Sequence, residues 1–397
     1  MNNIDLLYNK FKKCICKTYK LIENIKFIER DLYNKKIYNS YRLSHIGGHF
    51  NNNIYKKTIL LKKNNIERGK FIYNKIANKI DKDFLYKNNY SYEYKNNIIE
   101  INLYSIYNEI DTDNKFKKIF FRVLTFINLL NENQLNKKLI LNIYLTDFKK
   151  EFNDCILNNN DNQNELGAKN VNSGFTDGIS ITIFRGEEIL KVLIHELIHF
   201  YDIDITNRSE TCKECKLEFN IKDNTKLLLN EGFVETWANI LNILFIMYEE
   251  NKETFSINLF KNKIKLEKKF CLYQTSKILL NYNFKSYNDF LNNEKKLKNS
   301  GLKQSTSVFS YYIAKSIYLF NIEKFLNIYL NKELNENTIF KLDYEQKDLV
   351  NLLLENSKND ELIETININI KNLKKNDCNE ELLNLKMTSS IKSNLYS

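Results

Sequence analysis

The chain has 397 residues, enough for two or three cores at roughly 150 residues per domain. Its 43% hydrophobic and 27% charged residues are those of a globular protein and exclude a wholly disordered one. The net charge of +11 comes from lysines scattered through every segment, in a chain rich in Asn and Ile and without proline. That pattern reads as compositional bias in the gene. A nucleic-acid binder concentrates its basic residues on one face, so a nucleic-acid partner is not expected.

Seven cysteines, an odd number, follow an N-terminus with no apolar leader-like core, which points to a reducing compartment. The longest apolar stretch, around Ile240–Tyr248, is far short of the ~20 residues a membrane helix needs. The expectation is a soluble intracellular protein with no membrane partner.

Residues 1–115 are rich in Lys, Asn and Tyr, with short apolar runs that suggest no function. Apolar spacing predicts a helix over Phe116–Leu130 and a strand over Leu139–Leu145. A polar, Asn-rich loop covers roughly Asn158–Asn172, the turn role falling to Asn because proline is missing. Gly178–Phe184 alternates and is β-branched, as a strand does. Glu187–Tyr201 reads as a helix with acidic residues at its start, Asp204–Thr225 as a loop or small hairpin, and Leu227–Tyr248 as a second helix. Beyond Glu250 the spacing is helical to about Leu373. The division expected is an N-terminal region 1–115, a catalytic domain 116–250, a helical C-terminal subdomain 251–375 and a disordered tail 376–397.

The chemistry concentrates in His195-Glu196-Leu197-Ile198-His199. Residues four apart on a helix lie about 40° apart on one face, so both imidazoles can reach one Zn²⁺. Glu196, between them, is the group that takes a proton from water in such sites. The chain has four histidines, so a chance HExxH is expected on the order of once in several hundred such chains. Val192, Leu193, Ile194, Leu197 and Ile198 make the helix apolar around this trio, against the alternative of a surface helix with stray histidines. A catalytic zinc takes three protein ligands, and Glu231 of Asn230-Glu231-Gly232-Phe233-Val234-Glu235 is the natural third. Glu235, one turn on, is placed to accept the free N–H of a ligand histidine. Taken alone, that segment is also compatible with two exposed glutamates on an amphipathic helix.

HELIH followed by LNEGFVE resembles the gluzincin metallopeptidases, both the thermolysin-like and the aminopeptidase-N-like enzymes, over about residues 178–240. The run of helix, two strands and two helices is also the order of a zincin catalytic domain. The resemblance implies an α+β zincin-like fold, a Zn²⁺ cofactor and a peptide or protein substrate. It assigns His195, His199 and Glu231 as ligands, Glu196 as base and Glu235 as the ligand's support. The 31 residues between His199 and Glu231 exceed the usual aminopeptidase gap. The stretch NSGFTDGISITIFRGEEILKVLIHELIH also resembles uncharacterised gluzincin-like proteins of large DNA viruses.

Asp202 is a rival for the support role or for the third ligand, and also reads as a capping aspartate. For the oxyanion donor, Ser310-Tyr311-Tyr312-Ile313-Ala314-Lys315 faintly resembles the Tyr-x-Lys-Gly of aminopeptidases, which puts Tyr312 ahead of Tyr311; in a chain with 25 tyrosines either is also compatible with a core residue. Gly178–Phe184 is a candidate edge strand for an extended peptide, with Asn172-Ser173-Gly174 lining the cleft or forming a plain turn. Cys212-x-x-Cys215 is half a zinc site without its other half, so two free thiols are expected. His45 and His49 flank two glycines and read as a turn. The leading reading is a zinc metallopeptidase. The alternatives are an inactive zincin-like protein, for instance a viral structural or host-interaction module, and a basic nucleic-acid binder with an accidental HExxH.

Overall fold

The computed structural model describes residues 2–23, 25–29, 53–61, 72–95, 97–106, 112–135, 137–157, 165–204, 212–222, 224–291, 301–334 and 336–390. His45, His49 and the end of the expected tail, residues 391–397, lie outside the described residues.

Helix α1 (Asn3–Glu23) is followed by strands β1 (Lys26–Glu29) and β2 (Asn53–Leu60), helix α2 (Asn74–Asp83), strands β3 (Tyr86–Tyr94) and β4 (Asn97–Ser105), helix α3 (Thr112–Asn128) and strand β5 (Leu139–Tyr144). A short α4 (Ala168–Val171) leads into β6 (Gly174–Thr176), β7 (Ser180–Ile183) and α5 (Ile189–Phe200). Then come α6 (Lys213–Glu218), α7 (Asn230–Glu250), α8 (Ile257–Asn281) and α9 (Tyr287–Leu291). A π-helical turn, Phe309–Ala314, runs straight into α10 (Lys315–Phe320). The last helices are α11 (Ile322–Tyr329), α12 (Gln346–Ser357), α13 (Asp360–Leu373) and α14 (Glu380–Leu383). The fold is mixed α/β.

The strands form one mixed sheet in the order β1-β2-β3-β4-β5-β7-β6. β4, β5 and β7 run parallel, and β6 returns antiparallel beside β7 at the end of that order. Alternation along the strands sorts two faces. Ile101, Leu103, Leu141 and Ile143 enter the large core shared with the helices. Tyr104 and Tyr144, stacked at 4.4 Å, face the other way under Ile76, Ile80 and Phe84. Each fully buried aliphatic side chain contributes about 1.5–3 kcal/mol, which is what holds α5 in place: Leu193, Ile194, Leu197 and Ile198 are all fully buried.

Four expectations need correction. A boundary at 115/116 cuts through the sheet, because β1–β4 from the N-terminal region pair onward to β5. The main core runs unbroken from Ile4 to Met387. The segment expected as a tail is structured as far as Ser390, with Leu382, Leu385, Met387 and Thr388 buried. The strand at the edge is β6, since β7 is hydrogen-bonded on both sides. The thiols of Cys212 and Cys215 are joined in a disulfide, because Cys212 caps α6 and the first turn brings residue i+3 back to it. A second disulfide links Cys155 to Cys378. Among the described residues no helix is long and apolar enough to cross a membrane.

Candidate metal centre

Two helices build the site, each offering one polar stripe at i, i+4 spacing. On α5 the stripe is Lys191, His195, His199; on α7 it is Glu231, Glu235. The stripes mesh head to tail. Lys191 Nζ pairs with Glu235 Oε2. Glu235 Oε1 lies 2.9 Å from His195 Nδ1. Glu231 Oε2 lies 3.4 Å from Nε2 of both His195 and His199. Gly232 lets α7 come this close to the π-helical turn: a Cβ there would meet Ala314 Cβ, the Ser310 carbonyl and Tyr318, each at 3.2 Å.

The two Nε2 atoms are 3.1 Å apart, so with Glu231 Oε2 they form a triangle of sides 3.1, 3.4 and 3.4 Å. A tetrahedral Zn²⁺ with bonds of about 2.0–2.1 Å needs ligand atoms about 3.3–3.4 Å apart. His199 Nδ1 is 2.9 Å from Asp204 Oδ2, in a hydrogen bond. The His195–Glu235 contact has the distance of a hydrogen bond without its alignment. Where Nδ1–H faces a carboxylate, Nε2 is left as a bare acceptor. Glu231 Oε2 is itself buried and receives no hydrogen bond. Three converging acceptor atoms of this kind could hold a metal cation. The residues present therefore fit a metal, and among the described residues this is the one His/Cys/Asp/Glu group with that geometry.

Electrostatics follow from the packing. Burial raises the Glu235 carboxyl, but Lys191 and His195 more than reverse this and hold it well below its ordinary value. Burial also pulls the Lys191 ammonium down to about 8, against the attraction of Glu235. His199 is pushed down by burial, yet Glu231 and Asp204 leave it well above the ordinary histidine value. Glu196, buried beside the histidines, is raised by that burial although both imidazoles oppose it.

The sequence candidates separate. His195, Glu196, His199, Glu231 and Glu235 are together. Asp202 is not: it sits at φ 52° after the helix, largely exposed, with Lys137 Nζ at 2.6 Å. Its expected part falls to Asp204, two residues on, whose buried carboxylate faces His199. The tyrosines exchange places. Tyr312 is fully buried and its hydroxyl donates to the Leu385 carbonyl at 2.5 Å. Tyr311 lies on the other side of the π turn, its ring centroid 6.1 Å from that of His195. Burial and the carboxylates of Glu231, Glu235 and Glu196 raise its phenol well above the ordinary value.

One further residue, Lys191, is not marked by the sequence, and Gly174, a candidate for the cleft lining, lies at the site. Lys191 stands four before His195, so the stripe was visible as K-x-x-x-H-x-x-x-H, but buried lysines are rare enough that spacing alone did not suggest one. Gly174 of β6 faces Glu196: a Cβ there would lie 3.1 Å from Glu196 Oε1 and 3.0 Å from the Thr182 carbonyl. No protein-family profile, no curated protein and no solved structure matches the chain.

Proposed function

We propose that the protein is a zinc-dependent hydrolase of peptide bonds of the gluzincin type, with an α+β zincin-like catalytic core. The observation that carries this reading is the 3.1–3.4 Å triangle of His195, His199 and Glu231 with Glu196 buried beside it. Bound there, Zn²⁺ would supply a Lewis acid and a water of pKa near ~7. Glu196 takes the proton of the attacking water and passes it to the leaving amine. Tyr311, whose ring centroid lies 6.1 Å from that of His195, would donate to the oxyanion. β6 is short, at the sheet's end and next to the base, so its open side can pair with an extended peptide. Gly174 keeps that approach clear of a side chain.

Purified protein should contain one zinc per chain and cleave members of a peptide library; neither metal nor cleavage would sink the proposal. Tyr311→Phe should lower kcat by about 10²–10³-fold, the usual effect of losing one oxyanion donor. Tyr312→Phe should keep kcat within a few-fold and cost about 1 kcal/mol of stability through its lost bond to Leu385. Equal kcat losses in the two variants would remove Tyr311 from this role.

Zinc affinity should depend on pH in one direction. Both histidines must be neutral to bind, and Glu231 and Asp204 stabilise the protonated His199. Protons therefore compete with the metal until the pH passes His199's raised value. The apparent zinc dissociation constant should fall as pH rises through and above the ordinary histidine range. A competition titration that is flat from pH 6 to 8, about the unperturbed histidine range, would contradict it.

A further inference from the structure

Four buried lysines converge on one short segment, Glu381–Met387. Lys277 Nζ donates to the carbonyls of Glu381 (2.7 Å) and Asn384 (2.5 Å). Lys315 Nζ donates to the Met387 carbonyl at 2.7 Å. Lys150 and Lys191 hold their ammonium groups 3.4 and 3.7 Å from the Met387 sulfur. Fully buried ammonium groups are costly unless paired, and here the pairing is shared. Lys150 is bound to Glu188 at 2.7 Å, Lys191 to Glu235, and Lys315 lies 3.9 Å from that same Glu235 oxygen.

The strap's N–H groups are met as well. Met387 and Thr388 donate to Glu188 Oε1 at 2.7 and 3.0 Å, and Ser389 N–H donates to Glu267 at 3.0 Å. Asn239, on α7, donates to the Met387 carbonyl at 3.0 Å. Glu188 is the residue that starts the helix carrying both histidines, and it does so at a left-handed φ of 60°. A non-glycine residue held there needs surroundings that fix it; the two strap amides and Lys150 do so.

Met387 thus touches Lys150, Lys191 and Lys315, the lysines set against Glu188 and Glu235, although it lies far from His195 in sequence. We propose that the strap Leu385–Ser390 is a positioning element of the metal centre: through Met387 it seats Lys191 and Lys315 against Glu235, and Glu235 in turn orients His195. This rests on the metal reading above. It goes further in making the last buried segment part of the site's support, rather than a structural end. A ligand's supporting groups are worth about 10–100-fold in metal affinity. Glu235 without its lysines would be a loose support.

The test is zinc affinity by chelator competition on the full chain, comparing wild type with Lys191→Met, Lys315→Met and Lys10→Met. Lys10 is the matched control: buried, bound to the Glu333 and Thr338 carbonyls, and not in contact with the site. The first two should bind zinc about 10–100-fold more weakly, and Lys10→Met as wild type does. A folded Lys191→Met and Lys315→Met of unchanged affinity would overturn the proposal. Hydrogen exchange on wild type needs no variant and decides the matter if those chains fail to fold. Zinc should slow exchange at Met387 and Thr388 more than at Ile76–Ile80 of α2; equal or no slowing would overturn it. Wild type that binds no zinc is a different failure, that of the metal reading itself.

Discussion

Glu196→Gln should retain stoichiometric zinc and lose about 10²–10⁴-fold in peptide hydrolysis, the range a general base contributes. The carboxamide keeps the size of the side chain, so the packing around residue 196 is undisturbed. It also keeps an acceptor oxygen. What it cannot do is take a proton. Because Glu196 is not one of the three converging ligand atoms, the metal should stay, and activity should fall through kcat rather than through metal content. Loss of zinc along with activity would make Glu196 a ligand instead. Zinc-replete wild type with no cleavage of any peptide would favour the inactive, partner-binding reading. The pH profile carries the sign of the same assignment. Burial raises Glu196, and the base works ionised, so activity should decline on the acid side starting above the ordinary carboxylate range. A variant carrying glutamine should lose that limb.

What could be read from the sequence, and what could not, divides along one physical line. Spacing on a single helix is local information. The i, i+4 geometry placed His195 with His199 and Glu231 with Glu235, because a helix fixes those relations whatever surrounds it. Which stripe faces which is a tertiary fact. The motif resemblance supplied the expectation that the two stripes meet, and the packing of α5 on α7 brings them together. Asp202 and Asp204 show the limit. Both follow the helix within five residues, and the choice depends on the turn after Phe200, where Asp202 adopts a left-handed backbone and turns outward. Tyr311 and Tyr312 are adjacent, so one must point away from the site. The π turn decides which, and a single sequence gives no period for a π turn. The tail failed for another reason. Residues 376–390 are polar, so hydropathy marked them as loose. They are held by backbone bonds to buried charges from three different elements, which leave no periodic trace.

The edge of the sheet is a similar case. Gly178–Phe184 had the alternation of a half-buried strand, and Ser180–Ile183 is indeed one. Its neighbour β6 is three residues long, below the length at which alternation can be recognised, and it takes the outer position. A glycine was the only mark of it.

Removing Glu231 should have the largest effect on the metal, and its contrast with Glu235 tests the ligand assignment directly. Glu231→Ala deletes one corner of the 3.1–3.4 Å triangle and leaves two imidazoles, one protein ligand fewer than a catalytic zinc takes. Zinc affinity should fall by more than the ~100-fold upper range for a supporting group, and activity with it. Glu235→Ala leaves the triangle whole. It frees His195 Nδ1 and strips Lys191 of its partner, so affinity should fall within about 10–100-fold, with a stability cost added because an ammonium is left buried and unpaired. The two variants therefore differ in kind. Saturating zinc should restore much of the activity of Glu235→Ala and little of that of Glu231→Ala. Thermal unfolding reports the same split: ligand binding to the native state at about 1,000 times its dissociation constant adds ~4.1 kcal/mol, so the zinc-dependent rise in Tm should vanish in Glu231→Ala and shrink in Glu235→Ala. Stoichiometric zinc in Glu231→Ala, with loss in Glu235→Ala, would reverse the two roles.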